Sequence, residues 1–351
     1  MSLQTIALHI IRFLGGFAIA QFLTRKRLRI LCYHGFSIGD EHEVLPHVFM
    51  RKETFEERLR IIRKRQLPVI ALDEAVKRLR AGTINHAETV LTLDDGWASN
   101  LSIGAPILEK FNYPACIYVT TEHLYSGTEV FNVALFYMLC RSPRQTLSLD
   151  GVHPRLHGSI EIAEDRVAAA TAVIREAETV FPRLSDRQQL LPRLAQALGM
   201  DLDEVLVNGR FRLLARAEMA ELSRRGFDIQ LHTHTHRLPD TTFDTMADEI
   251  ARNREALKEI LGTVQSHLCY PSGRYSARHL EWLPRLAISS ATTCDPGLNY
   301  PHAPSLQLKR HLDSDCVSAI VFEAEVCGLR DLARGIRSAL STKPSASPRT
   351  S

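Results

Sequence analysis

The strongest constraint on fold is an alternation. Short apolar, β-branched runs are followed repeatedly by segments with helical periodicity. "RLRILCYH" (27–34) reads as a strand, and "ETFEERLRIIRKR" (53–65) as a helix with apolar positions three and four apart. "LPVIAL" (67–72) reads as a strand, followed by the helix "DEAVKRLRAG" (73–82), with Asp73 as cap and Gly82 as stop. "TVLTLDDG" (89–96) is a buried strand ending in carboxylates, "SIGAPILEKFN" (102–112) a helix and "PACIYVTT" (114–121) a strand. Such order calls for parallel βα units.

From about 130 to 225 the alternation stops. The segments 164–181, 186–199 and 216–226 are helical in pattern, without a convincing strand. This stretch is too long for a plain loop and reads as a helical insertion, a lid or small subdomain. Alternation resumes with strands at 227–233, 266–273, 287–293 and 306–312, helices at 242–261 and 276–285, and a final helix over 316–341. The Ser/Pro-rich end, 342–351, reads as a disordered tail. The expectation is an α/β protein: a distorted or incomplete (β/α) barrel over 27–341, carrying the insertion.

The chain has 351 residues, 45% hydrophobic and 24% charged, as an ordinary globular protein does. Its net charge of +3 comes without a Lys/Arg stripe interleaved with aromatics, so no nucleic-acid partner is expected. The seven cysteines are scattered and form no CxxC pair. They argue against a disulfide framework and a thiolate zinc site, and mildly for a reducing compartment. At the start, "TIALHIIRFLGGFAIAQFL" (5–23) is apolar but interrupted by His9, Arg12 and Gln21, and Arg25-Lys26-Arg27 follow it. A secretory signal carries its charge before the apolar run, and Arg12 is costly in a bilayer core. An amphipathic helix over 1–26 is favoured, packed on the domain or in peripheral contact with a membrane.

In parallel α/β folds the active site lies at the carboxyl ends of the strands. Here those ends carry Tyr33-His34-Gly35, Asp94-Asp95-Gly96-Trp97, His232-Thr233-His234-Thr235-His236, Tyr270-Pro271-Ser272-Gly273 and Arg310-His311. Two carboxylates ending an apolar strand are costly to bury unpaired, and a divalent cation offsets that cost. Asp-Gly alone would suggest only a turn. In "QLHTHTH" (230–236) a flat strand would align all three histidines, whereas a helical turn would join only His232 and His236. Two histidines with one carboxylate leave other metal positions open.

With these residues in view, the chain resembles the polysaccharide deacetylases, the NodB-homology carbohydrate esterases similar to carbohydrate esterase family 4. Thr92-Leu93-Asp94-Asp95-Gly96 matches a TFDDG-like motif, and His232 to His236 matches H-[ST]-x-x-H. Tyr270-Pro271-Ser272-Gly273 is close to YPYG, and Cys32-Tyr33-His34-Gly35 is similar to the YH element of many members. The likeness covers about 30–125 and 215–315. It implies a distorted barrel and metal-dependent removal of N- or O-acetyl groups from an acetylated glycan. Carried over by position, Asp95, His232 and His236 hold a divalent ion, with Zn²⁺ the first choice. Asp94 becomes the general base, and a backbone N–H near Ser272 stabilises the oxyanion.

Two departures bear on the site. Leu268 stands where many members have arginine, and Leu93 replaces phenylalanine. For the last strand two readings stay open: His311 as general acid, or Arg310 as the group that orients Asp94. His34, Trp97 and Tyr270 are candidate substrate contacts, each with a plainer reading as a packed or hydrogen-bonded residue. Two other functions remain in view: a catalytically inactive glycan-binding member of the same fold, and an amidohydrolase on a non-sugar amide. A cytoplasmic or membrane-peripheral location is favoured over a periplasmic or cell-envelope one.

Overall fold

The computed structural model describes residues 3–124 and 127–341. The expected tail at 342–351 lies outside the described residues. Seven strands form one sheet: β1 (Arg29–Tyr33), β2 (Thr89–Leu93), β3 (Cys116–Val119), β4 (Asp228–Leu231), β5 (His267–Cys269), β6 (Ser290–Thr292) and β7 (His311–Leu312). Every neighbouring pair is parallel, in the order β6-β5-β4-β3-β2-β1-β7. The sheet curls until its edges meet. Leu308, just before β7, bridges Thr292 of β6, donating to Ala291 O at 2.9 Å and accepting from Thr293 N at 2.8 Å. This is the distorted barrel expected from the alternation.

Side-chain parity on the strands sorts the core into two layers. Leu31, Tyr33, Leu91, Leu93, Ile117, Val119, Leu231, Leu268 and Tyr270 pack outward against the helices Lys52–Lys64, Arg216–Arg224 and Phe243–Leu261. Leu28, Ile30, Val90, Cys116, Tyr118, Cys269 and Leu308 pack with one another and with helix Leu72–Ala81. Polar residues that continue the second set past the strand ends therefore converge above the barrel interior.

Several elements differ from expectation for local reasons. Residues 67–72 form no strand. Pro68 lacks an N–H, and contact with the sheet is reduced to a bridge between Val69 and Thr89. The helix at 102–112 starts as a π-helical turn, Asn100–Gly104, before Ala105–Phe111. Gly328, at φ 79°, splits the last helix into Ala319–Val326 and Leu329–Ser341. Gly15, at φ 80°, breaks the N-terminal one into Leu3–Phe13 and Gly16–Leu23.

The insertion is helical, but it also holds a hairpin of Thr146–Ser148 with Ser159–Glu161, strands too short to show periodicity. It has its own core around Phe131, Leu135, Met138, Val173, Leu191, Leu194 and Phe211, which also takes in Phe49 and Trp97. Its end is hydrogen-bonded to the loop after β2. Leu214 N donates to Gly96 O at 2.7 Å, and Ala98 N donates to Arg212 O at 2.9 Å. The insertion is thus fastened beside Asp95.

Candidate active site

β2 ends at Leu93, and the next two residues part company. Asp94 keeps the inward direction of Thr92. Asp95 leaves the strand at φ 71° and Gly96 follows at φ 82°, where a Cβ would stand 3.0 Å from Val119. This left-handed turn lifts the Asp95 carboxylate over the barrel mouth. Its Oδ1 lies 3.2 Å from His232 Nε2 and 3.4 Å from His236 Nε2, and Trp97 Nε1 donates to Oδ2 at 3.0 Å.

The histidine segment is neither a flat strand nor a helical turn. β4 ends at Leu231, and Thr233 (φ 65°) and His236 (φ 58°) are left-handed. A β-branched residue in that region costs about 1–3 kcal/mol, which surrounding contacts must offset. The bends bring the rings of His232 and His236 within 4.9 Å and send His234 the other way. His234 is hydrogen-bonded through Nδ1 to Thr121 Oγ1 at 2.9 Å and through Nε2 to Arg252 at 2.8 Å. The expected ligands are brought together and the middle histidine is excluded.

The ligand trio fits a divalent ion. Its donor atoms lie within 4.8 Å of one another. Oxygen and nitrogen ligands about 2.0–2.1 Å from a shared tetrahedral ion stand about 3.3 Å apart. The Asp95 contacts match that spacing. His232 Nδ1 donates to Cys269 O at 2.9 Å, which leaves Nε2 with its lone pair toward the trio. Burial pushes the His232 pKa down, but the hydrogen bond to Asp95 and the Asp94 charge outweigh it, so the net direction is up. For Asp95, burial alone would raise the pKa, and the two imidazoles pull it well below the carboxylate range.

Two overlapping trios also lie within 4.8 Å, Cys32-His34-Asp94 and Asp94-His232-Cys269. They suit a cation less well. Asp94 is already neutralised by Arg310, which donates from Nη1 to Oδ1 at 2.7 Å and from Nη2 to Oδ2 at 2.8 Å. Burial also pushes both thiols well above their ordinary pKa, so they are neutral. As S–H donors they meet Asp94 Oδ2, at 3.5 Å from Cys32 and 3.3 Å from Cys269.

Burial would raise the pKa of Asp94, but the Arg310 charge and hydrogen bonds hold it far below the carboxylate range. Arg310 is itself fully buried and also donates to Thr293 O at 2.9 Å. Of the two last-strand candidates, Arg310 is the one that contacts Asp94. His311 does not reach the site, which corrects the reading of it as general acid. It is the next residue on the strand, so it points outward, where Nδ1 lies 3.1 Å from Glu325. Burial pushes its pKa down to about 4. His311→Gln and His234→Gln are each expected to keep the parent's metal content, measured by elemental analysis, and its rate within about threefold, as for side chains that touch neither ligand nor base.

The other candidates divide. A ring nitrogen of His34 lies within 4.8 Å of an Asp94 oxygen, and its buried Nδ1 has no hydrogen-bond partner among the described residues. Trp97 is almost wholly buried, packed on Phe49, and acts chiefly on Asp95. Tyr270 is not a sugar platform. It points into the outer layer, stacks on Tyr275 and donates to Leu306 O at 2.9 Å. Ser272 is exposed at φ 53° in the turn Pro271–Gly273 after β5.

Sequence reasoning missed Cys32 and Cys269 as partners of Asp94, and it missed Asn253. Asn253 accepts from His232 N at 3.1 Å and donates to Val119 O at 3.0 Å. A signal existed: Asn253 sits on the buried stripe Met246, Ile250, Leu257 of its helix. An amide there needs a polar partner. A groove of about 370 Å³ runs from Asp95 and His236 along Trp97, Glu122 and Leu213 to Phe131, Glu178 and Arg187 of the insertion.

A parallel curled barrel thus sets a His₂Asp cluster at the carboxyl ends of its strands, over a carboxylate held by arginine. The family model for polysaccharide deacetylase matches residues 195–290, which hold the histidine and Tyr-Pro-Ser-Gly motifs but not Asp94 and Asp95. This is the same family that the motifs resemble. The fold is similar to the Streptococcus pyogenes deacetylase PplD in complex with acetate, with a TM-score of 0.57 and 16% identity over 86% of this chain and 98% of that one. It is similar to IcaB from Ammonifex degensii at TM-score 0.54 and 17% identity, over 86% and 97% of the chains. The polysaccharide deacetylase BA0330 from Bacillus anthracis, described as putative, gives 0.53 and 15%, over 86% and 69%. No curated protein matches the sequence.

Proposed function

We propose that the protein is a divalent-metal-dependent hydrolase that removes acetyl groups from a carbohydrate. The observation that carries this reading is the Asp95-His232-His236 cluster set beside an arginine-held Asp94 at the mouth of a groove. Asp95, His232 and His236 would hold the ion, with Zn²⁺ suited to the donor set. Bound there, such an ion supplies Lewis acidity toward an acetyl carbonyl and an attacking water.

The remaining work falls to the chain's own side chains. Asp94 takes the water's proton as general base. Oδ2 already accepts from Arg310 and two thiols, whereas among the described residues Oδ1 accepts only Arg310 Nη1, so Oδ1 is the freer atom. Arg310 keeps the carboxylate ionised and fixed in orientation. His34, the imidazole beside Asp94 outside the ligand trio, is placed to return a proton to the leaving amine or alkoxide. Trp97 and Asn253 hold Asp95 and His232 in place. The insertion walls the groove and would set which glycan enters.

Acetate release from a panel of acetylated oligosaccharides, with and without chelator, tests the reading. The purified protein is expected to carry about one ion per chain and to lose turnover on chelation. Zn²⁺ should restore it. Metal affinity should fall on acidification, because protons compete for His232, whose pKa is raised. Undiminished turnover by metal-free protein would refute the proposal. Glycan binding without turnover in the metal-loaded protein would favour an inactive binding member of the fold.

A further inference from the structure

The first helices of the chain are amphipathic in an inverted sense. Of the three residues that interrupt the apolar run, Arg12 and Gln21 are partnered by the body of the protein, and His9 is exposed. Arg12 lies 3.4 Å from Glu323, and Gln21 Nε2 donates to Arg65 O at 2.9 Å. Leu8, Phe17 and Ala20 are buried with Ile320, Ala324 and Cys327. The outer face is left apolar: Leu3, Ile10, Phe13, Leu14, Ile19 and Phe22 are all exposed, Phe13 at 90% and Phe22 at 62%. Large contiguous apolar patches on a globular surface mark interaction sites.

Charge identifies the partner. The first 39 residues contain no Asp or Glu. At the end of the second helix the Arg25 guanidinium stands 4.0 Å over the Phe22 ring, and the neighbouring Lys26 is exposed. Arg27 is paired with Asp331 at 2.8 Å. Bulky apolar side chains edged by Arg25 and Lys26 suit the headgroup boundary of an anionic bilayer. A spanning arrangement suits them poorly. Among the described residues no single helix is long and apolar enough to cross a membrane, and the pair Leu3–Phe13 and Gly16–Leu23 is bent by 78°.

We propose that this bent helix pair docks the protein onto the surface of an anionic lipid bilayer, with Phe13 and Phe22 inserted and Arg25 and Lys26 at the headgroups. The pair leads into the amino end of β1, whereas the site residues leave the carboxyl ends of the strands. Docking would therefore leave the groove directed away from the lipid, toward a polymer in solution. This inference stands apart from the metal site.

The test is co-sedimentation of the full chain with phosphatidylcholine vesicles, with and without 25% phosphatidylglycerol. Binding is expected to the anionic vesicles, reversed by alkaline carbonate. Phe13→Ser with Phe22→Ser should weaken partitioning at least about tenfold. Arg25→Gln with Lys26→Gln should weaken it about tenfold on anionic vesicles alone. Both variants should share the parent's melting temperature, since the changed side chains face outward. No vesicle binding, carbonate-resistant insertion, equal binding to both vesicle types, or a dimer that buries this face without binding lipid would each overturn the proposal.

Discussion

Asp94→Asn is expected to slow acetate release about 10²–10⁴-fold, the range for loss of a positioned general base, with metal content unchanged. The amide keeps the size of the carboxylate and an oxygen for Arg310, but it cannot take a proton. Asp95 and the histidines are not among the groups that hold Asp94 in place, so the ion should remain. The diagnostic is therefore a split: kcat falls while bound metal, by elemental analysis, stays at about one per chain. Loss of metal together with rate would mean that Asp94 is itself a ligand, as the two thiol-containing clusters would require.

Arg310→Met is expected to have the largest effect on stability. Arg310 and Asp94 are both buried, and their two hydrogen bonds are short and parallel. Removing the guanidinium strands a carboxylate in the barrel interior, at a cost of about 3–5 kcal/mol. The pH dependence follows from the direction of the shift. Asp94 has a depressed folded pKa, so its contribution is present above the unfolded value, about 3.9, and is lost as pH falls toward the folded one. The stability gap between parent and variant, measured by denaturant unfolding, should thus be full at pH 7 and narrow below about pH 4. A gap that does not change with pH would point to lost packing instead of lost charge pairing.

Much of this arrangement was legible in the sequence because strand parity and strand ends are local properties. The alternation announced the parallel sheet, and the carboxylates and imidazoles at successive strand ends announced where they would meet. Parity in "LQLKRHL" could have settled the last strand: Leu308 and Arg310 share a face, and His311 does not. Tyr270 follows the same rule, since its neighbour Cys269 takes the inward position and contacts Asp94.

What could not be read was set by backbone turns and by contacts distant in sequence. The left-handed residues at Asp95, Thr233 and His236 decide which groups face one another, and nothing in HTHTH signals them. The thiol contacts to Asp94 join residues 62 and 175 positions apart. The hairpin in the insertion has strands of three residues, below the length at which alternation is visible.

Asp95, His232 and His236 are proposed to hold a divalent ion beside Asp94. Anomalous diffraction at the zinc edge from crystals grown with Zn²⁺ tests it most directly. One peak is expected about 2.0–2.2 Å from an Asp95 oxygen and the Nε2 atoms of both histidines, with Asp94 still on Arg310. A peak on Cys32, Cys269 or His34, or none at the Asp95 cluster, would contradict it.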